Sequence, residues 1–444
     1  RMSCFDKLST RIRRRMSKDA VEYHRMSKTM LVRFHTSSSL AFAILLLAGA
    51  GCGIHVDFSQ LTPEAGDTLA VNESSPIPTD QPSAETNLTA QQMPSGVLIL
   101  SEDQKTISLV MPDGTVSATA SLAGTHVSNT PSLHLTGSWQ EGNHLPPILF
   151  HTLVPEQALT LLSYGYAETL CPTQSFLGLA GASGQATFAY SDVLFEPEGP
   201  VSRIFVGTPE TICSASPVLD FRDSQMGMAL LPVAVDTNGG KPKGVWYIQT
   251  TLSIGGVDLV FPINRGLFFF DLSSKENRMM MPLDRNFQGL SPHHTLAASV
   301  EFNHHTTSPI RVHFLDTGKF IELPLHSTTE RGAGYAVFSA DNKYIAWLEV
   351  SGSLVDGAEF QPRVRVGNIE NGWVVAELDK YAVANALGWE SVSWIKPAGF
   401  LDSQSLLIEA LREDGGAIAV LNYNPLSKSL LPFSQGSFCG FAFP

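Results

Sequence analysis

Five cysteines (Cys4, Cys52, Cys171, Cys213 and Cys439) and four clustered histidines (His293, His294, His304 and His305) are the residues whose types and spacing could do chemistry. A Cys-x-x-Cys pair is absent, which leaves thiol-redox and zinc-ribbon chemistry without support. Imidazoles can hold a metal. Adjacent side chains on a strand point to opposite faces, however, so each His pair offers one ring to a shared ion. Surface loops are therefore expected for these histidines, with no metal. The Asp- and Asn-rich turns lack the spacing of a calcium loop. Gly181-Ala182-Ser183-Gly184 has the wrong spacing for a Gly-x-Ser-x-Gly elbow, and the Walker and His-Glu-x-x-His motifs are absent. A glycosidase-like pair of carboxylates comes from distant positions and leaves no local signature. No catalytic residue is assigned and no cofactor is expected.

Cys52 has a distinctive setting. Leu40 to Gly51 is an unbroken run of apolar and small residues behind Arg33. It is too short for a bilayer-spanning helix, which needs about 20 residues, and suits the apolar core of an export signal. Counted from Met30, the segment 30–51 makes a leader of ordinary length, and 1–29 reads as an upstream extension translated in frame. Gly49-Ala50-Gly51-Cys52 resembles the bacterial lipobox, with Gly49 where Leu is usual and Leu47 as the nearest leucine. That resemblance implies cleavage between Gly51 and Cys52 and diacylation of the thiol, with the new amino group often acylated as well. Two or three acyl chains anchor stably. An ordinary secretory signal cut nearby would leave Cys52 incidental. In an exported, disulfide-permissive setting Cys171 and Cys213 form a candidate disulfide, with Cys439 left over. Buried free thiols would serve equally well as small apolar fillers.

Residues 52–95 change character. Pro, Ser, Thr, Asn and Gln dominate, with acids and no Lys or Arg. Such a stretch buries too little apolar surface to offset its ordering entropy, and its prolines and like charges extend it. It reads as a flexible acidic linker. The whole chain carries net charge −13, but residues 1–51 hold 10 of the 29 basic residues and three of the 42 acids. The remainder therefore stands at −20. A surface this acidic repels phosphate backbones, so nucleic-acid binding is not expected.

From residue 96 onward short apolar runs alternate with turn residues, as in Val97–Leu100, Ile107–Met111 and Val245–Ile248. Helical patterning is local, near Leu378–Leu387. Phe338-Ser339-Ala340-Asp341-Asn342-Lys343-Tyr344-Ile345-Ala346-Trp347 pairs a polar turn with a strand, and a looser copy stands 48 residues upstream at Leu290–Ala298. Looser copies stand at Phe400–Ile408 and Leu100–Ile107. A second unit, a strand ending in a polar turn, places Asp271, Asp316, Glu370 and Asn424 at spacings of 45, 54 and 54. These intervals match the length of a propeller blade. The units resemble TolB-like, WD-like and dipeptidyl-peptidase-type propeller repeats, where a Ser-Pro-Asp-Gly-Lys turn precedes a Leu-Ala-Phe-like strand. Here His293-His294 and Asp341-Asn342 replace the usual Asp-Gly. The resemblance is clearest over 286–433 and is extended over 97–285 by length.

The expected fold is all-β: a β-propeller of six or seven four-stranded blades over 96–444, with tandem β-sandwich domains as the rival. Trp139, Trp246, Trp347, Trp373, Trp389 and Trp394 offer aromatic surfaces for a sugar or peptide, although packing between blades is the commoner use. The expected protein is exported, lipid-anchored to the bacterial membrane through Cys52, and faces the periplasm or the cell surface. Its propeller is expected to bind an envelope protein or peptide without catalysis. The alternatives are a polysaccharide- or small-ligand-binding protein and, third, a carboxylate-dependent hydrolase or lyase.

Overall fold

The computed structural model describes residues 96–442 apart from 104–105, 122–147, 153–159, 165–174, 182–186, 208–210, 212–214, 223–227, 239–240, 252–260, 262, 302–307, 327–331 and 352–360. The expected leader, the lipobox cysteine and the acidic linker lie outside these residues.

Strands dominate. The first antiparallel sheet contains β1 (Gly96–Leu100), β2 (Thr106–Val110) and β3 (Val116–Ser121). A pair, β4 (Ile148–Thr152) and β5 (Thr160–Tyr164), follows. Next come β6 (Ser175–Gly181), β7 (Phe188–Glu196), β8 (Gly199–Gly207) and β9 (Leu219–Arg222), paired in that order. The same order governs β10 (Met228–Asn238), β11 (Lys241–Thr251), β12 (Asn264–Asp271) and β13 (Asn277–Met281). It recurs in β14 (Arg285–Leu290), β15 (Leu296–Glu301), β16 (Ile310–Phe314) and β17 (Phe320–Leu323). The next sheet holds β18 (Gly332–Phe338), β19 (Tyr344–Ser351), β20 (Gln361–Asn368) and β21 (Trp373–Asp379). After helix α1 (Lys380–Leu387) come β22 (Val392–Phe400), β23 (Leu406–Arg412), β24 (Ile418–Asn424) and β25 (Ser429–Gln435). Last, β26 (Ser437–Ala442) returns to pair with β1 and completes the first sheet as its fourth strand.

These six four-stranded sheets form a β-propeller. First strands of neighbouring sheets pack on one another, β6 on β10, β14 on β18 and β18 on β22, which makes them the inner strands. Each hydrophobic cluster is shared by two successive sheets. Trp347 and Ile345 of β19 pack with Val312 and Leu323 of the sheet before, and Val364 and Val366 pack with Leu406 and Ile408 of the sheet after. Both faces of a middle strand are therefore buried, so such strands read as continuous apolar runs. In Phe268-Phe269-Phe270 the middle ring turns to one neighbouring sheet and its flanking rings to the other. Val97, Leu98, Ile99 and Leu100 are all buried for the same reason.

The repeated turns have a repeated cause. The Ser101, Ser291 and Ser339 amides donate to the carbonyls of Thr106, Leu296 and Tyr344 at 2.8–2.9 Å. Their hydroxyls accept the amides of the same three residues at 2.9–3.0 Å. Between third and fourth strands, Asp271, Asn368 and Asn424 each accept two backbone amides of the following turn. This corrects the repeat register read from sequence. Asn368, rather than Glu370, holds its turn, and Phe314 takes the corresponding place just before Asp316. Where a side chain holds such a turn, it must be a short polar acceptor at the first residue to reach the amides ahead; at Phe314 backbone bonds close it.

The local helix at Leu378–Leu387 is present as α1. Asp379 caps it by accepting the Ala382 amide, and Gly388 ends it at φ 65.

Candidate functional site

The inner strands depart from regular pairing at matching places. Register shifts lie between Phe287 and Gly289 in β14, between Gly334 and Val337 in β18, and between Pro397 and Gly399 in β22. In β26 the shift leaves Cys439 between the paired residues Phe438 and Gly440. A bulge leaves a residue out of the ladder and re-aims its side chain. Gln288, Tyr335 and Cys439 occupy these positions, with Lys396 beside the one in β22.

Tyr335 adopts φ 50. For an aromatic residue this left-handed conformation is uncommon and costs about 1–2 kcal/mol. Its amide donates to Gln288 Oε1 at 3.3 Å, and its ring lies 5.4 Å from Phe261 and 6.4 Å, edge-on, from Trp394. A Cβ on Gly334 would fall 2.3 Å from Gln288 Oε1, so glycine there lets the amide lie against β18. Gln288 Nε2 is buried and has no hydrogen-bond partner among the described residues.

Lys396 pairs in register with Glu409, and Nζ stands 3.0 Å from Oε1. The carboxylate holds the ammonium above its ordinary pKa despite burial. Glu409 Oε2 also accepts the Phe438 amide at 2.9 Å, which links this pair to the closing strand. Burial, with Glu409 adding to it, pushes the Cys439 thiol up to about 12. Cys439 is a free, buried thiol and stays protonated at neutral pH. A charged lysine and a protonated thiol are poor nucleophiles. The cluster is chemically suited to holding a ligand: it has aromatic surfaces, one unspent amide donor and a self-neutralised ion pair.

Other polar clusters are consumed by packing. Ser299 Oγ lies 2.8 Å from His313 Nε2, the spacing of a nucleophile and its base, but both side chains are buried and Arg285 Nε shares the same oxygen at 3.2 Å. Burial first, then Arg285 and Arg311, lowers His313 to about 4. Buried Glu349 is held by Arg365 Nη1 at 2.8 Å, by Trp347 Nε1 at 2.9 Å and by the His326 amide at 3.0 Å. Buried Asp192 is held by Arg203 through Nε and Nη2 at 2.9 and 2.5 Å.

Gly51, Cys52, Cys171, Cys213, His304, His305 and Trp139 lie outside the described residues. His293 and His294 form the turn before β15, and no group of three metal-ligating side chains occurs among the described residues. Trp246 and Trp347 are core residues, Trp373 is exposed on β21, Arg412 lies over Trp389, and Trp394 reaches the inner cluster. Sequence reasoning missed Gln288, Tyr335, Lys396 and Phe261. The one trace of them was Gly332-Ala333-Gly334-Tyr335, two glycines where Phe261 packs closely.

No protein-family model and no curated protein matches the chain. Solved structures of propeller type do. Dipeptidyl peptidase 4 of Porphyromonas gingivalis is 10% identical over 60% of this chain and 40% of its own, with TM-score 0.37. TolB of Acinetobacter baumannii is 14% identical over 78% of this chain and 66% of its own, at 0.32. A hypothetical selenium-binding protein of Sulfolobus tokodaii is 11% identical over 80% of this chain and 96% of its own, at 0.42. The chain thus spans less than two thirds of the first two. The propeller itself is read from the sheets.

Proposed function

We propose that this protein is a lipid-anchored binding module of the bacterial envelope. Acylated Cys52 holds it, residues 52–95 set its reach, and the propeller docks a protein or peptide without catalysis. The observation that carries the binding role is the contrast between the two ends of a ring closed by β26 on β1. At one end, tight hairpins such as 339–343 are saturated by their own Ser, Asp and Asn side chains. At the other, the second and third strands of three successive sheets are joined by the longer segments 252–263, 302–309 and 352–360, while the remaining sheets use short turns, 197–198 and 413–417 among them. Long connections on a rigid frame are where recognition resides. A membrane tether also raises the effective concentration toward a partner in the same envelope.

The test is expression from Met30 in a bacterial host with an alkyne fatty acid, followed by fractionation and in-cell crosslinking. Wild type should carry label, sediment with membranes and capture a stoichiometric partner. Cys52→Ala should lose the label and leave the membrane fraction. Unchanged sedimentation of Cys52→Ala would remove the anchor from the reading. Turnover abolished by a single carboxylate substitution would replace binding by catalysis.

A further inference from the structure

We infer that Gln288, Tyr335 and Trp394 of the inner strands form, with Phe261 of the segment before β12, a site for an uncharged carbohydrate. The inference rests on the propeller alone and is independent of the lipid anchor.

Three observations converge. The first is the buried Gln288 Nε2, which meets no acceptor among the described residues and whose partner amide oxygen is already committed to Tyr335 N. An unmet buried donor is costly, and a ligand oxygen would relieve it. Second, three aromatic rings from separate parts of the chain meet there, with Tyr335 more than one third exposed. Aromatic faces carry apolar area beside polar groups and cover the C–H face of a sugar ring. Tyr335 is held there in a left-handed conformation, and strain of this kind collects at ligand sites.

The third observation sets the ligand's charge. Lys396 and Glu409 stand in contact and cancel, so the nearby wall rewards neither an anion nor a cation. A charged peptide terminus would leave one formal charge without a counterpart at desolvation cost. Hydroxyls on a neutral ring meet the amide donor with no such cost. The carbohydrate class therefore fits better than a peptide end.

The experiment is calorimetric titration of the full chain with maltotriose, cellotriose and tri-N-acetylchitotriose, each raised to about 10 mM, the weak end of useful affinity. At least one should bind with a stoichiometry of one, independently of salt. Gln288→Leu should weaken it about tenfold, the worth of one hydrogen bond. Tyr335→Gly, a residue suited to this backbone, should do the same, and Trp373→Ala on the outer strand should not. Unchanged melting temperatures would exclude loss of fold in each variant. Silence from all three sugars, or binding that ignores both inner-strand substitutions, overturns the proposal.

Discussion

His294 Nδ1 is hydrogen-bonded to Asp236 Oδ1 of the preceding blade, and that oxygen also accepts Trp246 Nε1 at 2.9 Å. His294 stands at φ 54, where the repeats it resembles carry glycine. Asn342 occupies the same place in the next blade at φ 56, and its Nδ2 donates to Thr295 Oγ1 of the blade before, at 3.0 Å. Two departures from the repeat thus share one role. Each gives up the backbone ease of glycine for a side chain that reaches across a blade boundary.

That exchange predicts an ordering of variants. His294→Gly regains about 1 kcal/mol of backbone freedom but loses a charge-assisted hydrogen bond worth roughly 1.5–3 kcal/mol. His294→Ala loses the bond and keeps the strain. In urea unfolding, wild type should be the most stable, followed by the glycine variant and then the alanine variant. A glycine variant about 1 kcal/mol more stable than wild type would show that the contact contributes nothing.

Acid should act in two windows. His313 is neutral when folded, with a pKa of about 4 against an ordinary value of 6.5. The unfolded chain therefore takes up a proton first as pH falls. Stability decreases between about pH 6.5 and 4, by roughly 3 kcal/mol as an order of magnitude. His313→Gln should flatten that segment of the curve. At Asp236 burial favours the neutral acid, but His294, Trp246 and Lys243 outweigh it and lower the pKa. Its contribution is present above the ordinary carboxylate range and disappears only below it, so Asp236→Asn should flatten the more acidic limb.

Glu349 and Arg365 form a buried pair, 0% and 8% exposed at the side chain. Glu349→Ala leaves the guanidinium with the Pro324 carbonyl at 2.6 Å and the more exposed Glu377 at 3.5 Å, and should cost about 3 kcal/mol. Replacing both, as Glu349→Leu with Arg365→Met, should cost clearly less. Equal losses from the single and double variants would contradict a pairwise role.

Strands β14 and β18 approach closely at Gly289, where a Cβ would fall 2.1 Å from the Ala336 carbonyl oxygen. Backbone cannot swing aside as a side chain can. Gly289→Ala should therefore destabilise by about 1–3 kcal/mol, read as a lowered melting temperature. A neutral effect would mean that β14 and β18 can separate at no cost.

Much of the architecture was legible before any coordinates, because a propeller repeats one local problem. Ser291 and Ser339 stand one blade length apart and close identical turns, and this spacing alone announced a blade. Val97–Leu100 announced a strand buried on both faces. These features depend on neighbours in sequence, where turn chemistry and hydrophobic runs are decided. The register at Asn368 was misread as Glu370 because Asp, Asn and Glu look alike in a list, while only the first turn position has amides within reach. The inner cluster left only one trace in the sequence, the glycines Gly332 and Gly334. Gln288, Tyr335, Lys396 and Cys439 lie on four strands distant in sequence, and bulges that no motif encodes place Gln288, Tyr335 and Cys439 out of the regular ladder. Sequence by itself determined the strands, their turns and the repeat. The stacking of blades about one axis decided which side chains meet, since closure of the ring by β26 on β1 is a long-range event that no local pattern carries.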